Sequence, residues 1–217
     1  MNEIQRAKII LNLLNKIYPT TKVPLDHKNT FTLLISVLLS AQCTDVNVNN
    51  VTKQIYSKYY KPEHFVKLGK KKIEILIKKI GLFRIKAKNI YNLSKILIKK
   101  YNSKVPKTFD ELESLPGVGH KTASVVMSQA FGYPAFPVDT HIHRLAQRWG
   151  LTNGKNVNQT EKDLKRLFPM KFWNKLHLQI IYYGREYCKA RGCFGISCKI
   201  CKTCYPNRKK SIITKKA

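Results

Sequence analysis

Over Leu115-Pro116-Gly117-Val118-Gly119 the chain is forced out of one helix and, from His120 onward, into another. Proline lacks an amide and clashes with the preceding turn, while glycine admits backbone that other residues avoid. Upstream, Thr108-Phe109-Asp110-Glu111 fits a capping box, in which a threonine hydroxyl and a glutamate side chain satisfy free amides at a helix start; a short helix is expected to run to Ser114. Downstream, a helix is expected from His120 to Phe131, stopped by Gly132. Residues 108–131 therefore read as helix, glycine hairpin, helix, and whatever flanks them must pack against that corner.

The flanks are helical too. Strand signals are scarce, and apolar residues recur every three to four positions between Pro, Gly and Asn, so the fold class is all-α. Helices are expected over 3–17, ending before Pro19; over Phe31 to Ala41, apolar on every side; and from Asp45, with a stripe of Val48, Val51 and Ile55. Two more are expected at 63–68 and 70–79, stopped by Gly81, and one at 85–101 that buries Ile90, Leu93 and Leu97. Beyond the hairpin, Pro137-Val138-Asp139-Thr140 leads as extended chain into a helix through Trp149, with Asp139 as its cap. Helices over 158–167 and 170–187 follow, and the basic end after Asn207 is expected to be frayed.

Charge narrows the partners. Lys and Arg total 41 against 12 Asp and Glu, a formal +29, which repels itself unless a polyanion or counterions neutralise it; nucleic acid is the leading partner. A lysine-rich compositional habit is the bland alternative, since Ile and Asn are abundant as well. The longest apolar stretch, Leu33 to Ala41, falls short of the about 20 residues that span a bilayer. Glu3, Arg6 and Lys8 interrupt the apolar positions of the first helix, unlike a signal peptide, so no membrane association and a cytoplasmic address are expected. Five of the six cysteines crowd into 188–204, which in a reducing compartment points to metal rather than disulfides.

A Gly-x-Gly turn at a helix start aims several amides one way, and the helix dipole adds partial positive charge, so a phosphate can rest there without side-chain help. Alone, such a turn is as often a plain helix–helix corner. Its surroundings decide. Leu115-Pro116-Gly117-Val118-Gly119-His120-Lys121-Thr122-Ala123 resembles the helix-hairpin-helix of the endonuclease III family of DNA glycosylases, in which the lysine at the Lys121 position is the nucleophile. Val138-Asp139-Thr140-His141 lies where that family carries its catalytic aspartate, and Leu39-Ser40-Ala41-Gln42-Cys43-Thr44-Asp45 resembles the segment that fills the gap left by a flipped base. The resemblance runs from the first helix to the cysteine cluster. It implies backbone contacts to DNA at Gly117, Val118, Gly119 and His120, a plug at Gln42, a wedge at Leu82 within Ile80-Gly81-Leu82, and a pocket-shaping role for His141. Leu82 could equally be core, and His141 an ordinary helix-surface histidine.

The residues support these roles independently. An amine attacks carbon only when unprotonated, and Lys121 sits where a helix start disfavours its ammonium form; partial burial would act the same way. It can then attack the sugar C1′ and form a Schiff base. Asp139, ionised, can stabilise positive charge on the sugar and accept protons, while also serving as a helix cap.

Cys198-x2-Cys201-x2-Cys204 resembles ferredoxin-type iron-sulfur spacing, with a further ligand needed upstream. The endonuclease III family spaces its cluster cysteines with six, two and five residues between them, whereas here the gaps from Cys188 are four, four, two and two. Cys188, Cys198, Cys201 and Cys204 are assigned as ligands of one 4Fe-4S cluster, with Cys193 able to replace Cys188; zinc is the alternative. Lys189, Arg191, Lys199 and Lys202 would then be organised toward phosphates.

The resemblance further implies two helical domains with a catalytic cleft between them: a six-helix barrel over about 22–133, and a discontinuous domain of 1–21 and 134–217 carrying the cluster loop 188–204. The implied activity is excision of oxidised pyrimidines from double-stranded DNA followed by abasic-site cleavage, by a monomer associated with the nucleoid. An adenine-mismatch glycosylase, which lacks a lysine at the Lys121 position, and a non-catalytic DNA-binding iron-sulfur protein are the alternatives.

Overall fold

The computed structural model describes residues 1–217, and helices and their connections make up the whole of it. The chain divides into two compact units, one of Val23–Tyr133 and one joining Met1–Lys22 to Pro134–Ala217.

In the Val23–Tyr133 unit, α2 (Thr30–Ser40) is the central element, buried without a break from Phe31 to Leu39. A helix apolar all round has no solvent face to offer, so its neighbours must surround it. Packed around it are α3 (Asp45–Lys58), α5 (Phe83–Tyr101) and α7 (His120–Phe131), with α4 (Pro62–Leu76) laid along α5 and α6 (Phe109–Glu113) along α7. The sequence reading of two helices at 63–68 and 70–79 meets its reason at Gly69, whose φ of 73° breaks α4 internally. The helix ends at Leu76 rather than 79, and buried Ile77 and Ile80 continue as turns.

The caps that start these helices are mostly short polar side chains. Asn29 accepts from the Thr32 amide, and Thr44 from that of Asn47; each such cap is worth about 1 kcal/mol. At α6 the expected capping box is altered. The Thr108 hydroxyl accepts from the Glu111 amide, but it donates to the Glu111 carboxylate at 2.7 Å, which therefore does not reach back to the cap amide.

The other unit is built on α1 (Glu3–Ile17), α8 (Thr140–Arg148), α9 (Val157–Leu167) and α10 (Trp173–Glu186), the last entered through a 3-10 turn at Met170–Phe172. Trp149, Tyr183, Ile10, Leu14, Leu176 and Ile180 fill its core. The short helix α11 (Lys199–Cys204), not foreseen from the cysteine spacing, runs through the last cysteines.

The expectation of a frayed basic end is wrong. The amide of Ile212 bonds the carbonyl of Phe194, Arg208 donates to the carbonyls of Arg148 and Gly195, and the backbone of Lys215 is gripped from both sides by the Gln147 side-chain amide. Composition marks such a tail as solvated; backbone hydrogen bonds, blind to composition, hold it down.

Candidate active site and metal centre

Gly117 has φ 79°, and a Cβ there would stand 2.5 Å from Nδ2 and 3.0 Å from Cβ of Asn89, so glycine is demanded both by backbone and by packing. Gly119 differs. Its φ of −98° suits any residue, and a Cβ on it would meet nothing within 4 Å. Nothing inside the chain requires glycine there, and no side chain caps the start of α7. An exposed helix start left open in this way suits an outside anion.

Lys121 lies in the first turn of α7 with its side chain exposed, not partly buried as the sequence reading allowed. Val118 has nothing to offer a ligand from its amide or side chain, because the amide is spent on the Leu115 carbonyl and the side chain is 5% exposed. His120 is exposed but engaged, its Nδ1 2.8 Å from Glu113 Oε1 and its ring stacked on Phe109.

Gln42 and Leu82 share an unusual feature: both occupy the left-handed region, at φ 54° and 58°, where a non-glycine residue costs roughly 1–2 kcal/mol. Both are exposed, Leu82 at 54%, so its reading as core is excluded. A residue missed in the sequence lies beneath them. Lys86 is 5% exposed, and its Nζ donates to the carbonyls of Leu39 at 2.9 Å and Ala41 at 2.6 Å. Burial pulls its ammonium below the ordinary lysine value. Its signal was present: Lys86 lies four residues before Ile90 on the same apolar stripe.

In the other unit Asp139 caps α8, its Oδ1 accepting from the Ile142 amide at 2.8 Å. His141 packs against Gly184 of α10, where a Cβ would come 3.1 Å from its Nδ1.

The thiols of Cys188, Cys193, Cys198 and Cys201 lie within 4.8 Å of one another, all buried. Cys204 is buried too but is outside that group, and burial pushes its thiol up to about 11. The structure thus gathers Cys193 where the sequence reading placed Cys204. The donor set fits a metal centre: four buried sulfurs this close cannot all ionise without a cation among them. Arg148, buried and unforeseen, donates to the Cys188 sulfur at 3.4 Å and to the carbonyls of Lys189 and Ala190 at 2.7 and 3.0 Å. Such outer contacts orient metal ligands. Arg144 adds bonds to the carbonyls of Gly184 and Cys188.

Comparison with known proteins gives this geometry its context. The family model described as "HhH-GPD superfamily base excision DNA repair protein" matches residues 35–170. Endonuclease III of Bacillus subtilis (strain 168) is 41% identical over 211 residues, covering 97% of this chain and 96% of the relative. Endonuclease III of Escherichia coli (strain K12) is 43% identical over 192 residues, 88% of this chain and 90% of its own. Among solved structures, one described as a trapped endonuclease III–DNA covalent intermediate superposes with a TM-score of 0.87 at 41% identity, over 94% of this chain and 99% of that one. A thermostable thymine-DNA glycosylase shares the fold, with a TM-score of 0.80 at 24% identity over 90% of this chain and 94% of its own. No helix of the chain is long and apolar enough to cross a membrane. The chain belongs to the HhH-GPD superfamily of base excision DNA repair proteins and, within it, to the endonuclease III family.

Proposed function

We propose that this chain is a bifunctional DNA glycosylase and abasic-site lyase that removes oxidised pyrimidines from double-stranded DNA in the cytoplasm. The observation that carries the proposal is Lys121, exposed in the first turn of a helix whose start is left open by Gly119. The amides at the open start of α7 take a phosphate, which brings the amine to the sugar. Gly117 serves by shaping the turn, and Gly119 by leaving room for the DNA backbone.

A base within a duplex is unreachable, so its nucleotide is first extruded, with Gln42 filling the gap and Leu82 pressing between bases of the opposite strand. The neutral Lys121 amine attacks C1′; the bond from C1′ to the base breaks, and the base leaves with its electron pair and collects a proton. Asp139 stabilises the positive charge that builds on the sugar and accepts the protons that the amine sheds as the ring opens to an imine. Loss of a C2′ proton then expels the 3′ phosphate, and water returns the lysine. His141 supports the start of α8 from its seat against Gly184.

The cysteine quartet Cys188, Cys193, Cys198 and Cys201 would hold a 4Fe-4S cluster, with Cys204 in reserve. The all-thiolate, buried donor set supports this, as does Cys198-x2-Cys201, whose two-residue gap also occurs in the family's iron-sulfur spacing. When bound, the cluster supplies a rigid tie for the 188–204 loop and its lysines rather than a reacting atom.

A panel of duplexes, each with one damaged base, tests the function. Strand cleavage is expected at oxidised pyrimidines, leaving an unsaturated sugar on the 3′ end; base release without cleavage would contradict the lyase half.

A further inference from the structure

A lysine on an apolar stripe is a costly choice, because burial removes the water that its ammonium prefers. Lys86 faces inward on α5 with Ile90, Leu93 and Leu97, and no carboxylate accompanies it there. It instead bonds the carbonyls of Leu39 and Ala41, the last oxygens of α2, a helix with no basic residue in its own final turn. Those carbonyls carry the negative end of the helix dipole and have no intrahelical partner, so one ammonium satisfies both. The next residue, Gln42, is forced into the left-handed region.

The helix that bears Lys86 starts at the second loop. The Lys86 backbone amide donates to the carbonyl of Leu82 at 3.1 Å, the residue at the start of α5 that is likewise left-handed and exposed. The two loops touch: Gly81 has no Cβ, and one placed there would lie 3.8 Å from the Gln42 carbonyl. Asn47 makes a further tie, its Nδ2 reaching the Lys79 carbonyl at 3.1 Å and the Cys43 sulfur at 3.2 Å. The buried cation therefore ties the end of α2, next to Gln42, to α5, the helix that begins beside Leu82.

We propose that Lys86 is a positioning residue that holds Gln42 and Leu82 as a single rigid pair, so that both enter a duplex together at the site of an extruded nucleotide. This rests on the base-extruding function above. Strain at both residues is maintained only while their backbones are overdetermined; the Lys86 ammonium fixes the α2 end beside Gln42 against α5, whose own first turn holds Leu82. A chain without it would keep Lys121 chemistry but lose the ability to open paired DNA.

The test compares borohydride trapping on an abasic duplex with trapping on the same abasic strand unpaired, and follows 2-aminopurine placed opposite the abasic site as a report of displacement. In Lys86→Met, duplex trapping is expected to slow by at least about tenfold, while single-strand trapping changes by less than about twofold and the 2-aminopurine signal is lost. The double variant Gln42→Ala with Lys86→Met should be no slower than the slower single variant, since both changes remove one device. Equal loss on both substrates, or multiplied losses in the double variant, would overturn the proposal. Should Lys86→Met fail to fold, Lys86→Gln, which keeps a donor without the charge, carries the same comparison; if neither folds, Lys86 is structural and the proposal is overturned. A wild-type protein that traps neither substrate yet gives the 2-aminopurine signal would instead remove the lyase function and leave the positioning role standing.

Discussion

Asn89 presses against Gly117 so closely that a methyl group on the glycine would stand 2.5 Å from the Asn89 side-chain nitrogen. Two glycines with a single residue between them thereby separate into different roles. Gly117→Ala meets both the contact and a φ of 79°, and is expected to cost about 1–3 kcal/mol of stability. Gly119→Ala should change stability by less than about 0.5 kcal/mol yet weaken binding to an abasic duplex about tenfold, because the methyl stands where a phosphate approaches. Thermal unfolding and a binding titration check the pair; equal stability losses would show that both glycines are architectural.

Asp139 caps α8, and the proposed mechanism gives the same carboxylate a chemical task. Asparagine caps helices as well as aspartate does, so Asp139→Asn should unfold within about 0.5 kcal/mol of the parent while base release slows by about 10²-fold or more. Asp139→Ala should lose the same activity and a further ~1 kcal/mol of stability. A fully active Asp139→Asn would leave the residue a cap and nothing else.

The cysteine grouping makes a sharp division among five thiols. Cys193→Ala should lose most of its iron and unfold at lower temperature, whereas Cys204→Ala should keep both near the parent level. Arg148→Met, which removes the donor to the Cys188 sulfur, should weaken metal retention by about 10–100-fold without removing a ligand. Iron and sulfide content read all three. Loss of iron in Cys204→Ala with retention in Cys193→Ala would restore the quartet expected from the sequence.

Phosphate contacts also predict a salt dependence. With +29 of formal charge and several phosphates engaged, affinity for undamaged duplex should fall by about 10³-fold or more between 50 and 200 mM salt. A flat response would mean that the charge is only compositional.

Much of this fold is legible in the sequence where local chemistry sets it. The helix from His120 to Phe131 is bounded by glycines at both ends, and Asp139 is both visible as a cap and found as one. The quartet's membership is not legible in the sequence, because spacing along the chain says little about which four of five buried sulfurs converge, and Cys204, at the end of α11, lies outside the group. Lys86, Arg144 and Arg148 escaped for a related reason. A cation within a helix reads as a solvated face; the apolar stripe hints at burial for Lys86, but the carbonyls that these cations meet, distant in sequence, are what mark them as buried fasteners. The tail was misread because its lysines say nothing of the backbone pairing at Ile212 and Lys215.

Borohydride reduction of the protein on an abasic duplex, followed by mapping of the linked residue by mass spectrometry, measures the chemistry at its source. One covalent adduct per chain is expected, located at Lys121 and absent from Lys121→Ala, which should still bind the duplex. An adduct at another residue, or strand cleavage by pure Lys121→Ala at the parent rate, would contradict the assignment of Lys121 as the nucleophile.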